Sequence, residues 1–238
     1  ADMPIYRIAD LNVEVNPKFK ICRKRLESYA VKSNESGKTD IAISVSDDEI
    51  RERLRLSDNL SEQGAEDVLI LSKFCNAVLD GFDGFFFHSS CLELDGEGYV
   101  FSAVSGTGKS THTALWRRHF GNRVTMINDD KPVIRKCDGK FYAYGTPWMG
   151  KADIGTNTKA PVKAVYILQR AEENTAVRVL PSQVMKQLLE ATVIDVERSR
   201  MEKLLELLDE FFKETPLFLL GCNMDELSLI HISEPTRQ

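Results

Sequence analysis

Residues 101–113 read FSAVSGTGKSTHT, and the fold turns on how that stretch is read. Tyr99–Val104 is an apolar run that makes a strand. Lys109–Phe120 makes one helix, with Leu115, Trp116 and Phe120 on one side and Gly121 at its end. A strand, a glycine loop and a helix in that order are the setting of a phosphate-binding loop, whose usual pattern is G-x-x-x-x-G-K-[ST]. Ala103 stands where the opening glycine belongs. The departure is one methyl group, and alanine fits there without strain if its φ is negative. Gly106 and Gly108 lack a Cβ, so their N–H groups can converge on one point. The helix N-terminus adds positive potential for an anion. The candidate nucleotide-binding residues are therefore Ser105, Gly106, Thr107, Gly108, Lys109, Ser110 and Thr111. Lys109 would bridge the terminal phosphates, and the Ser110 hydroxyl would ligate Mg²⁺. The alternative is a glycine-serine turn with a chance lysine.

A second acidic element follows one helix later. Arg123–Ile127, with its apolar run VTMI, is a strand that ends in Asn128-Asp129-Asp130. Beside a phosphate loop, one carboxylate of Asp129 and Asp130 can hold Mg²⁺ directly or through water. The other is then free to take a proton from an attacking hydroxyl. The alternative is a solvated turn.

The rest of the chain reads as mixed α/β. Residues 3–15 alternate and form a strand, Lys18–Ala30 a short helix or irregular strand, Ser33–Lys38 a turn, Asp40–Val45 a strand and Asp47–Leu56 a helical turn. Glu62–Leu79 has the spacing of an amphipathic helix. Phe85–His88 (FFFH) is a buried strand that Ser90–Leu94 extends toward a hairpin turn at Asp95–Gly98. Val133–Arg135 and Lys140–Tyr144 make a hairpin about Asp138-Gly139. Gly145–Pro161 is a long loop. Strands at Val162–Leu168, Ala176–Leu180 and Leu217–Leu220 alternate with helices at Ser182–Ala191 and Glu197–Glu214. The domain organisation expected is 1–83 as an N-terminal α+β extension of strands and an amphipathic helix packed on the core, and 84–226 as the core.

The 238 residues, 42% hydrophobic and 28% charged, suffice for one large domain with a real core, or for two small ones. A net charge of −5 argues against a nucleic-acid binder, which needs a basic face. The five cysteines form no C-x-x-C pair and read as reduced thiols of a cytoplasmic protein. No apolar run approaches the ~20 residues that span a bilayer, so no membrane partner is expected. Leu227–Gln238 (LSLIHISEPTRQ) resembles the in-frame translation of a sequencing adapter. On that reading 227–238 is not native and His231 has no functional part.

These residues together carry a resemblance. His88–Ile134, with its SGTGKST loop and NDDKP turn, resembles the catalytic core of bacterial HPr kinase/phosphorylase and of phosphoenolpyruvate carboxykinase. The segment GTPWMGKADIGTNTKAPVKAVYILQR resembles small carboxykinase-like, HPr-kinase-like proteins, a likeness running from Tyr6 to Glu226. The resemblance implies a mixed-sheet P-loop core and transfer of the γ-phosphoryl group of ATP with Mg²⁺ to a serine or similar hydroxyl of a protein, peptide or small metabolite. It implies Asp129, Asp130, Lys109 and His88 as the catalytic set, with His88 near the phosphates and Ser110, Asp129 and Asp130 at the metal. It leaves the roles within the aspartate pair open and raises the expectation of a homo-oligomer. The chain has no room for the oxaloacetate-binding lobe of a full carboxykinase. The alternative function is a nucleotide-binding switch or adaptor without phosphoryl transfer. If the Gly145 loop folds over the site, Lys151 and Lys159 could bring positive charge to the transferring group. Trp148 would stack on a base or anchor the loop in the core. Asn157 is a further polar candidate.

Overall fold

The structure, a computed structural model, describes residues 3–32, 37–103, 107–194 and 197–223. Ser105, Gly106, most of the Ser33–Lys38 turn and the segment 227–238 lie outside them.

The fold is mixed α/β, a curled mixed sheet with helices on both faces and a small N-terminal sheet. β1 (Ile5–Ile8) and β2 (Leu11–Val15) form an antiparallel hairpin, and β3 (Ile41–Ile43) pairs parallel to β2. The single strand expected over 3–15 is thus two. Ala9 and Asp10 turn the chain with φ of 52° and 61°, the two positive φ values of a tight hairpin turn. Alanine gives no sign of such a turn because it normally avoids that region. Arg135 holds it by donating to the Ala9 carbonyl.

α1 (Lys20–Leu26) starts on a buried carboxylate: Glu66 accepts from the Lys18 and Phe19 N–H groups at 2.6 and 3.0 Å. α2 (Asp47–Arg55) opens on a capping box between Ser46 and Glu49. α3 (Glu62–Gly81) drives Phe74 and Val78 into the core.

The large sheet has nine strands among the described residues. β4 (Gly84–Phe86), β8 (Val133–Cys137) and β9 (Lys140–Tyr144) are antiparallel neighbours. β10 (Lys159–Arg170) continues from β9 and runs parallel to β6 (Glu97–Ala103) and to β12 (Leu217–Cys222). β5 (Ser90–Leu94) lies between β6 and β7 (Val124–Asn128), and β11 (Thr175–Arg178) covers β12. Ser90–Leu94 therefore does not extend the FFFH strand; the chain leaves β4 at Phe87 and joins the sheet again elsewhere. The turns at Asp95-Gly96 and Asp138-Gly139 have positive φ at both positions, as their sequences require.

Alternation along β6 sends side chains to two cores. Val100 packs with Val165, Leu188 and Phe211, on the side of α5 (Met185–Thr192) and α6 (Arg198–Glu214). Tyr99 and Phe101 pack with Trp116 and Tyr166, on the side of α4 (Lys109–Phe120). The carboxyl ends of β6, β10 and β12 share one edge between those helices. In α/β sheets that edge is where ligands bind.

Candidate active site

β6 ends at Ala103 on the carboxyl edge, and α4 begins at Lys109. Gly108, at φ 102°, is the residue before the helix, and its carbonyl accepts the His112 N–H at 2.9 Å. A Cβ at Gly108 would meet nothing within 4 Å, so the position faces open space. The glycine is needed there for its backbone angle. Ser110 and Thr111 are exposed on the first turn.

The Lys109 ammonium lies 3.0 Å from His88 Nε2, and the same Nε2 lies 2.8 Å from Asp130 Oδ1. Lys131 makes an ion pair with the other oxygen of Asp130. Burial pushes the Asp130 carboxyl up, but the hydrogen bonds and charges of His88 and Lys131 outweigh it and hold the group well below the usual carboxylate range. Asp130 is therefore ionised, and His88 donates Nε2–H to it. One ring nitrogen cannot also accept a proton from Lys109. The loop lysine is thus left beside a nitrogen with no lone pair to offer. Burial pushes the Lys109 pKa down, with Asp130 opposing and Lys131 adding to the shift. An arriving phosphate would supply the missing partner.

Asn128 sets the acidic turn. Its Oδ1 accepts from the Asp130 and Lys131 N–H groups at 2.9 and 2.7 Å. Its Nδ2 donates to the Thr146 and Trp148 carbonyls, both at 3.1 Å. Asp129, largely buried, accepts the Gly150 N–H at 2.7 Å. The long loop therefore folds against the site. Lys131, Asn128 and Gly150 were not among the residues singled out from sequence. Lys131 stands in the NDDKP string, and Asn128 opens an Asx turn ahead of two aspartates, the one local signal available.

The expectation for Lys159 is corrected, and that of Trp148 as a loop anchor holds. Lys159 is committed to an ion pair with Asp10 and lies over Tyr142 and Tyr144, so it is not drawn to the acidic turn. Asn157 bonds the Arg7 carbonyl at 3.2 Å and ties the N-terminal hairpin to the loop. Trp148 anchors the loop: it is buried, stacks on Phe74 at 5.7 Å and donates Nε1–H to Asp67 at 3.2 Å. Lys151 is exposed next to Gly150.

A cavity of about 640 Å³ opens beside α4, between Thr107, Gly108, Thr111 and His112 on one side and Arg170 and Asn223 on the other. Its size suits a nucleoside. His112 Nε2 accepts the Trp116 indole N–H at 3.2 Å, which puts the imidazole proton on Nδ1. That Nδ1–H is buried without a partner among the described residues. Burial lowers the His112 pKa to about 4. The unfolded chain takes up this proton near pH 6.5, so stability falls as pH drops from 6.5 toward 4, by about 1.4 kcal/mol per pH unit. Urea unfolding at several pH values should show that part of the slope vanish in His112→Gln.

No protein-family model and no curated protein matches the chain. Among solved structures it is similar to the Hpr(Ser) kinase/phosphatase from Coxiella burnetii, at 12% identity and a TM-score of 0.39, over 64% of this chain and 90% of that one.

Proposed function

We propose that the protein is an ATP- and Mg²⁺-dependent phosphotransferase that moves the γ-phosphoryl group to a hydroxyl. The observation that carries this reading is that His88 bridges the loop lysine to the acidic turn. Lys109, His88, Asp130 and Lys131 form one unbroken chain of contacts beside a nucleoside-sized cavity. A hydroxyl oxygen attacks the γ-phosphorus, the bond to the bridging oxygen breaks, and ADP leaves. The hydroxyl proton passes to a carboxylate of the pair.

Asp129 and the exposed Ser110 hydroxyl would hold Mg²⁺, and Asp130 would take the proton. A carboxylate held so far down accepts that proton late, which suits a loose transfer in which the nucleophile bonds late. When bound, Mg²⁺ neutralises charge on the phosphates. Among the described residues no three His, Cys, Asp or Glu side chains gather as a metal group. One or two carboxylates plus phosphate and water suit Mg²⁺. Lys109 and Lys131 add fixed positive charge where charge is spread in the transfer.

The test is heat unfolding with ATP and ADP, each with and without Mg²⁺. Binding to the native state raises the midpoint by mass action. A shift with ATP that grows with Mg²⁺ is expected. No shift with either nucleotide contradicts the reading.

A further inference from the structure

A cavity of about 420 Å³ opens at the same carboxyl edge, on the α5 side of the sheet. Leu168 lines both it and the larger cavity beside α4. Its polar groups come from His88, Ser102, Gln169, Gln187 and Glu190, and apolar side chains of β6, β10, α5 and β12 make up the rest.

Lys109 links the two spaces. It begins α4 beside the larger cavity, and its ammonium ends 3.0 Å from His88, in the wall of the smaller one. A nucleotide in the larger cavity with its phosphates along Lys109 presents the terminal phosphate to the smaller cavity. The geometry thus separates a donor side from an acceptor side, with His88 and Lys109 between them.

The lining states what the acceptor looks like. Among the described residues no lysine or arginine lines the cavity, and Lys109, which ends beside His88, faces the donor's phosphates, so no second fixed cation would hold a phosphate or carboxylate on the acceptor. The one carboxylate among the described lining residues, Glu190, has the Lys186 ammonium 3.9 Å away on the preceding turn, so it does not require a cationic ligand. Two carboxamides and a carboxylate offer donors and acceptors together. Hydroxyl groups answer both, since each can donate and accept. The volume lies at the small-molecule end of ligand pockets, roughly 300–1,000 Å³.

We propose, on the phosphotransferase reading above, that this cavity holds the phosphoryl acceptor and that the acceptor is a small uncharged polyhydroxy compound of the sugar or polyol class. One of its hydroxyl oxygens, placed beside His88, bonds to the γ-phosphorus. The bond from that phosphorus to the bridging oxygen breaks, and its electron pair leaves with ADP. The hydroxyl proton goes to Asp130.

The experiment gives the full chain saturating Mg–ATP labelled in the γ position. Separate reactions receive neutral hexoses, linear polyols, a sugar phosphate, an amino alcohol and a serine-containing peptide. A neutral sugar or polyol is expected to raise ADP formation at least about 10-fold over the rate without acceptor, because the cavity aligns it. It should also carry the label. Gln187→Trp, which fills the mouth from α5, should raise the acceptor KM by about 10-fold or more. Gln169→Ala, at an exposed strand end, gives a second reading should the bulky variant not fold. Label passing only to the sugar phosphate, the amino alcohol or the peptide overturns the assignment. So does silence from every neutral polyol, or stimulation that both variants leave intact. ATP affinity, measured on the same samples, separates the two levels. ATP bound with polyols silent removes the acceptor class alone, whereas no ATP binding removes the phosphotransferase reading itself.

Discussion

Lys109→Ala should lower affinity for Mg–ATP by roughly 10- to 100-fold, the worth of a charged hydrogen bond to phosphate. ADP formation should fall by at least a further ~100-fold, since the ammonium also meets charge that develops in the transfer. The free protein should not lose stability in step. In the absence of phosphate the ammonium is partly desolvated, and the nitrogen it faces already donates to Asp130. Removing it relieves a partly buried cation. Titration calorimetry with ATP, read beside the heat-unfolding midpoint of the free protein, checks both halves. A variant that binds ATP as the native chain does would place the phosphates elsewhere.

Gly145→Ala should be the most damaging methyl addition at the site. A Cβ there would stand 2.0 Å from the Thr156 carbonyl oxygen and 2.9 Å from that of Ile127. Both obstacles are backbone, so no rotamer change makes room. Gly145 itself donates to Thr158 at 2.9 Å, and Thr156 donates to Ile127 at 3.1 Å, which fastens the loop to the end of β7. Overpacking of this kind costs about 3 kcal/mol or more. In a chain of this size that is a fall of roughly 6–12 °C in the unfolding midpoint. Gly81→Ala serves as the control, because a Cβ there meets nothing within 4 Å. The loop shift should also loosen the Gly150 N–H on Asp129 and lower turnover in the molecules that remain folded. An unchanged midpoint would mean that the loop is free to move away from β7.

The parts of this fold that were legible in sequence are those written locally. α4 spans Lys109–Phe120, as the glycines on either side and the apolar face dictate. The two Asp-Gly hairpins turn where they should because only small or polar residues tolerate two positive φ values in a row. What was not legible depends on distant partners. Ala9-Asp10 turns because Arg135, far along the chain, holds its carbonyl. β4 and β5 part because each finds a different neighbour in the sheet, a choice that periodicity does not record. Lys159 carries the same charge as Lys109, yet a tertiary contact with Asp10 decides its use. Within the site, the reactive residue types were visible as strings. The bonds that fix them were not, since Asn128 and Gly150 act through backbone groups of a loop some twenty residues away.

Whether Asp130 acts as a base divides the proposed phosphotransferase from a switch that merely binds nucleotide. The most direct measurement follows ATP affinity and single-turnover ADP formation together in Asp129→Asn and Asp130→Asn, supplied with Mg²⁺ and an acceptor that the native chain uses. Asparagine keeps the shape and removes the charge and the basic oxygen. The account predicts near-native ATP affinity in Asp130→Asn with ADP formation reduced about 10²- to 10⁴-fold, the usual worth of a placed base. In Asp129→Asn it predicts a loss of turnover and a weaker response to Mg²⁺. Native rates of ADP formation in both variants would contradict it and leave the loop as a nucleotide-binding element without chemistry.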